Sequence, residues 1–300
     1  MRPAFSVLLL TTLIGAAQGL FIALFLCELL APNAITPNFL IGGSVIVLLL
    51  SGLGLLASFF HLGHPERAWR SMMMWRTSWL SREVIALPAF MAAAFAYGVA
   101  HWMALGHTLL IGVVGVVLSI TLFICTGMIY AAVKVLKEWA HPLTLLNFSL
   151  LGSASGMTLA AAYASFVAPT LTAPLAQAAF VLTALSLLTR GAALVRNAQL
   201  SPASTLQTAI GIRHPHIVQK AQGAMGGSYN TREFFHGKSV GFVRVIIPAF
   251  LVLSFALPLL LVLTLPLLAF ILQYAGLLAE RWYFFAEAKH PQNLYYQGNS

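Results

Sequence analysis

The constraint that governs this chain is a succession of apolar runs, each long enough to cross a lipid bilayer. A crossing helix needs about 20 mostly apolar residues. Eight stretches meet that length: Phe5–Leu30, Phe39–Phe60, Glu83–Ala104, Thr108–Val133, Leu143–Ala168, Thr172–Val195, Gly241–Leu263 and Leu265–Phe285. The last two could be one run, because Val245 to Ala279 carries no charge. As a single helix that run would extend about 52 Å, against a hydrocarbon core of about 30 Å. Thr264-Pro266 is therefore read as a tight turn between two spans. Only helices and closed barrels satisfy their backbone polar groups inside lipid, and runs of this length fit helices. The expected fold is a single all-α integral membrane domain over residues 1–300 with eight transmembrane helices.

A weak internal repeat refines that picture. Gly15-Ala-Ala-Gln-Gly19 in span 1 and Gly152-Ser-Ala-Ser-Gly156 in span 5 are both GxxxG. Small residues at that spacing let helix backbones approach closely. The repeat suggests two four-helix halves, although chance recurrence in Gly- and Ala-rich helices produces the same pattern.

Charge sets the expected orientation. The chain is 60% hydrophobic and 8% charged, with a formal net charge of +9. Eight spans place both termini on one side, together with loops 61–82, 134–142 and 196–240. All 16 Lys and Arg fall on that side or within about a turn of it, including Arg190 and Arg244. The opposite connections carry none, and the nearest acid there is Glu28. The positive-inside rule makes the basic side cytoplasmic. In so apolar a chain, basic loops point to topology and anionic headgroups, not to nucleic acid. The longest polar loop, 196–240, reads as functional or as a plain flexible connection.

What the spans lack narrows the chemistry. None of the nine His lies in the middle of a span, so no paired axial ligands for haem are expected. The two Cys, Cys27 and Cys125, are isolated in apolar runs, and no CxxC occurs. No iron–sulfur cluster or other metal site is expected in this chain. Gln18 and Gln273 read as interhelical hydrogen-bonding groups, and the helix interiors otherwise hold almost no ionisable side chains.

The polar residues concentrate instead in HLGHPERAWRSMMMWRTSWLSRE, residues 61–83. His61 closes span 2 and Glu83 opens span 3, so the two can face one another at the basic boundary. A quinone headgroup needs donors for two carbonyl oxygens and exchanges two protons with two electrons. Histidine can donate and exchange protons near neutral pH, and a half-buried carboxylate suits proton relay. The candidate quinone-binding residues are His61, His64, Arg67 and Glu83, with His61 and Glu83 in the reactive roles. Bland readings stand beside these. His61 could cap span 2, His64 could be a solvated loop residue, and Glu83 could be an N-terminal acid favoured by the helix dipole. Trp69, Trp75 and Trp79 fit an interfacial aromatic belt, and Met72–Met74 an apolar interfacial turn.

HLGHPERAW, followed by SWLSREV and the late AGLLAERWYFF at 275–285, resembles the DMSO reductase anchor (DmsC-type) family of molybdoenzyme membrane anchors. His64-Pro-Glu-Arg67 is more similar to anchors of sulfite dehydrogenase complexes whose soluble subunits stay in the cytoplasm. The resemblance implies a bacterial inner-membrane subunit that holds a four-cluster iron–sulfur subunit and a molybdopterin catalytic subunit. It implies that the chain exchanges electrons with quinone or quinol and carries no cofactor of its own. The family's quinol-site His falls on His61 and its carboxylate on Glu83; Arg281 matches a late family Arg without an assigned role. The rival readings are a multi-span transporter, helped by Pro88, Pro174 and Pro248 as helix breakers, and an anchor without a quinone site. The tail HPQNLYYQGNS partly resembles a protease-tag remnant and is left out of the site argument.

Overall fold

Prolines and short polar side chains set where the helices begin. In the computed structural model, which describes residues 4–60, 62–201, 205–217 and 239–289, Pro37, Pro142, Pro169 and Pro266 each stand in a first helical turn. There the missing N–H costs nothing. Thr36 and Ser78 accept hydrogen bonds from the free N–H groups of Phe39 and Ser81. The resulting long helices are α1 (Phe5–Leu30), α2 (Pro37–Phe59), α3 (Trp79–Trp102), α4 (Thr108–Ala131), α5 (Pro142–Val167) and α6 (Pro169–Ala198). A short α7 (Leu206–Ile210) follows, then α8 (Val240–Leu251), a π turn (Val252–Ala256), α9 (Leu257–Leu261) and α10 (Pro266–Ala286). No strand occurs among the described residues.

Six of these helices, α1 to α6, are long and apolar enough to cross a membrane. Their outer faces carry exposed aliphatic rows: Val45, Leu49, Leu53 and Leu56 on α2, Val113, Val117, Ile120 and Ile124 on α4. Water would not tolerate such rows, whereas acyl chains do. The chain is a multi-pass membrane protein.

α1 and α5 form the axis of the bundle, and their crossing explains the two GxxxG stretches. A Cβ added at Gly19 would come within 2.6 Å of the Gly152 carbonyl oxygen and 2.9 Å of the Gly156 Cα. The two motifs therefore pack against each other, backbone to backbone. Around this axis α1 packs on α2 and α4, with α3 bridging α2 and α4. Correspondingly, α5 packs on α6 and α10, with the α8–α9 segment against α10 and α9 also against α6. The cross-contacts match too, because α4 touches α5 as α10 touches α1.

The late hairpin turns where the sequence suggests, with α10 starting at Pro266. Pro88 and Pro174 lie inside continuous α3 and α6 and break neither. The irregularity falls at the π turn, where Ser254 comes so close to Gly276 of α10 that a side chain there would meet its backbone N. Polar side chains tie other helices: Gln18 Nε2 donates to the Ser119 carbonyl at 2.9 Å, and Gln273 Nε2 to Thr183 Oγ1 at 3.0 Å. Both glutamines thus join helices, as their positions in apolar runs suggest.

Candidate functional site

The ends of the helices divide the polar residues into two groups. At one end Glu28 of α1 accepts from Tyr97 Oη at 2.5 Å and Thr108 Oγ1 at 2.6 Å, with His101 Nε2 at 3.4 Å. The other end gathers the α2–α3 and α4–α5 connections and the C-termini of α6 and α10. There α3 begins at Trp79, four residues before the Glu83 start expected from sequence. Ser78 supplies the cap, and the apolar Trp79-Leu80 pair starts the helix. Glu83 therefore does not open the helix; it lies a turn inside, where the free N–H groups of the N-terminus no longer reach it. Its partner is Thr126 of α4, whose Oγ1 donates to Glu83 Oε1 at 2.5 Å.

The other sequence candidates sit differently. His61 lies outside the described residues. His64, just before a 3₁₀ turn over Pro65–Met74, and Arg67 within it are exposed, and both pair with Glu66, at 3.0 and 3.7 Å. Among the described contacts neither side chain reaches Glu83. Along this segment arginines ride over tryptophans: Arg70 on Trp69, Arg76 on Trp75, and Arg82 at 4.2 Å from the Trp79 ring centre. Arg82 also donates to the carbonyls of Trp75 and Arg76, which fixes the turn into α3. Trp69, Met73, Met74 and Trp75 are exposed, an apolar and basic face at the rim of the bundle. Much of the long loop, residues 202–204 and 218–238, and the tail 290–300 lie outside the described residues.

A second cluster at this end corrects the expectation of helix interiors almost free of charge. Arg190 of α6 and Glu280 and Arg281 of α10 are 2%, 0% and 4% exposed. Arg190 Nε lies 2.7 Å from Glu280 Oε1, Arg190 Nη1 3.6 Å from Glu287 Oε1, and Arg281 Nη1 3.4 Å from Glu280 Oε2. Arg281 also lies over the Phe148 ring of α5 at 3.6 Å. Glu287, just past α10, accepts from Asn197 Nδ2 at 3.1 Å. Burial pushes the Glu287 carboxyl above its ordinary range, against the pull of Arg190. Sequence does carry a signal: Arg190, Glu280 and Arg281 each interrupt an apolar helix. Read singly they pass for boundary charges. Their pairing follows only from the face that α6 and α10 share.

Between the two clusters stands an aromatic knot of Tyr130, Trp139, Phe148, Phe284 and Phe285. Trp139 Nε1 donates to the Phe284 carbonyl at 3.0 Å, locking the α4–α5 connection onto α10.

Comparison with known sequences decides the affiliation. The family described as DMSO reductase anchor subunit (DmsC) matches residues 1–287. The chain belongs to the DMSO reductase anchor subunit family. It is also similar to a sulfite dehydrogenase subunit of Allochromatium vinosum, with 53% identity over 322 aligned residues covering 99% of each chain. Family membership thus extends beyond the 61–83 and 275–285 stretches that carry the resemblance in sequence. It covers the bundle, both clusters and the connections between them.

Proposed function

We propose that this chain is the quinone-reactive membrane anchor of a molybdopterin and iron–sulfur oxidoreductase complex of the sulfite-oxidising type. The observation that carries the reading is Glu83. It is a carboxylate one turn inside an apolar helix, held by Thr126, directly beneath the polar 62–78 segment. A membrane helix keeps such a group where it has work to do. His61, at the end of α2 in sequence, supplies a hydrogen-bond donor and proton carrier for a headgroup carbonyl. Glu83 accepts or returns protons beside it, oriented by Thr126. A quinone bound there contributes the exchange of two electrons and two protons.

The exposed Trp69–Trp75 face and the basic residues around it form the docking rim for an iron–sulfur subunit, which in turn holds the molybdopterin subunit. His64 and Arg67, paired with Glu66, belong to this rim. α8–α9 and α10 complete eight spans in two four-helix halves, with both termini and the polar loops cytoplasmic. The name of the Allochromatium vinosum relative supports sulfite as the substrate class of the assembled complex.

The test is His61→Ala in the assembled complex. Quinone-linked turnover falls by at least about 10²-fold, the scale of a lost general acid–base group. Oxidation of the soluble subunits' substrate with an artificial dye continues. Normal quinone-linked turnover in this variant would sink the assignment.

A further inference from the structure

Arg82 and Glu83 are consecutive on α3, so they project about 100° apart around the helix axis. Glu83 turns inward to Thr126 of α4. Arg82 turns back to the segment that precedes the helix. Its Nε donates to the Trp75 carbonyl at 2.9 Å and its Nη2 to the Arg76 carbonyl at 2.8 Å. Its guanidinium also lies 4.2 Å from the centre of the Trp79 ring, at the first residue of α3. Both carbonyls stand just past the 3₁₀ turn Pro65–Met74. Acceptors at the end of a helical turn lack helical donors there, and a basic side chain supplies them.

These two hydrogen bonds matter because the rest of the segment is tied to itself. His64 and Arg67 pair with Glu66, Ser71 Oγ donates to the Ala68 carbonyl, and Thr77 Oγ1 donates to the Met74 carbonyl. Arg70 and Arg76 lie over the adjacent Trp69 and Trp75. Among the described side-chain hydrogen bonds and ion pairs of residues 62–77, those made by Arg82 are the ones that reach a membrane helix. Burial adds little: Trp69, Met73, Met74 and Trp75 are each more than half exposed. A stretch with few buried contacts opens easily unless something fastens it. Arg82 fastens it to the turn of α3 that carries Glu83. In sequence the other end of the same stretch begins right after His61.

We propose that Arg82 is a positioning residue for the quinone: by fastening the Trp75 and Arg76 carbonyls to α3, it holds the 62–78 segment in its place over Glu83, so that the headgroup meets a preformed site. The proposal rests on the quinone reading above. Arg82 acts through the segment and has no part in the proton or electron transfer. A segment already in place spares the cost of ordering it when the ligand arrives. When the fastening is lost, only part of the population is ready to bind, and apparent affinity falls by that fraction. Chemistry in the bound complex stays the same, so KM rises while kcat holds. Lysine cannot take over the role. Its ammonium is a point charge on a flexible stem, whereas the flat guanidinium fork serves two carbonyls and lies on the Trp79 ring at once.

The experiment uses the whole complex with Arg82→Lys in this chain, which keeps a positive charge at the rim. Three readings are taken per mole of assembled complex: hydrogen–deuterium exchange of residues 62–78, binding of a fluorescent hydroxyquinoline N-oxide as quinone analogue, and KM and kcat of quinone-linked turnover. Exchange in 62–78 is expected to speed up while that of α4 stays as in the parent. Analogue binding weakens about tenfold and KM rises about tenfold, with kcat within about twofold of the parent. If Arg82→Lys does not assemble, Trp79→Leu carries the test, because it removes the ring beneath the guanidinium and keeps the arginine. The same split is then expected at about threefold, the scale of one exposed cation–π contact. Loss of assembly in both variants overturns the proposal, since Arg82 then serves docking. Unchanged exchange or unchanged analogue binding in an assembled Arg82→Lys complex also overturns it and leaves the quinone site standing. So does a fall in kcat of about 10²-fold at unchanged analogue binding, which would place Arg82 in the chemistry. A parent complex that binds no analogue and reduces no quinone overturns the quinone reading itself.

Discussion

Arg190 ties α6 to the end of α10. It reaches from α6 to two buried carboxylates, Glu280 and Glu287. Arg190→Met leaves both without their shared cation and costs roughly 3–5 kcal/mol, the range for breaking a buried pair from one side. Thermal unfolding of the detergent-solubilised chain measures this. Adding Glu280→Met to the same chain should recover part of the loss, because the carboxylate nearest Arg190 goes with it while Arg281 loses its Glu280 contact. A double variant less stable than the single one would mean that the remaining Arg281–Glu280 contact outweighs the cost of the unpaired carboxylate. Glu83 shows the opposite economy: a single carboxylate satisfied by one hydroxyl, Thr126. Sequence misplaces the first turn of its helix because Trp79 reads as a residue of the interfacial aromatic belt ahead of the span. The cap at Ser78, only a three-residue spacing to Ser81, decides the matter.

At the scale of the helix, the start of α5 makes a pH-dependent prediction. His141 is the N-cap, and its Nδ1 accepts from the Leu143 N–H at 3.2 Å. Only the neutral ring can accept there. Burial first, and the neighbouring Arg196 second, lower its pKa from 6.5. A base whose folded pKa is depressed adds stability that is complete above its unfolded pKa. That contribution is lost as pH falls from there through the folded value. Melting temperature should therefore drop as the pH is taken below 6.5, and His141→Asn, which keeps an uncharged cap, should remove that part of the slope. An identical slope in the variant would assign the pH dependence to other groups. The α1–α5 crossing is the other element-scale determinant. Gly19, Gly152 and Gly156 bring two helix backbones into contact, so this pair is the axis on which the remaining helices are hung.

For the whole molecule, the paired contact pattern predicts the topology. α1 and α5 play equivalent parts, as do α4 and α10, in two groups of helices joined at the GxxxG crossing. If α8–α9 and α10 form a membrane hairpin, a reporter joined after Ala288 remains cytoplasmic, while reporters inserted at Thr36 or Gly106 are exported. Export of the Ala288 fusion would require an odd number of spans and would break the equivalence of the two halves. The two polar ends differ in character. The Glu28 end is a single carboxylate satisfied by neighbouring hydroxyls, whereas the Glu83 end joins a carboxylate, an aromatic knot and a buried charge series beneath exposed loops.

Local composition is enough to establish that the chain crosses a membrane, where most helices lie, which end is basic, and where much of the polar sequence concentrates. An apolar run is a span in any tertiary setting, and a proline opens a helix in any neighbourhood. Composition also makes Glu83 a candidate, through its position between a span and a polar stretch. Helix packing was needed to show that the two GxxxG motifs meet, that Glu83 is held from α4, and that Arg190, Glu280 and Glu287 pair. Each is a contact between helices distant in sequence. A lone charge in an apolar run reads the same whether it lies at the membrane surface or faces an opposite charge on another helix; the packing of α6 against α10 separates the two.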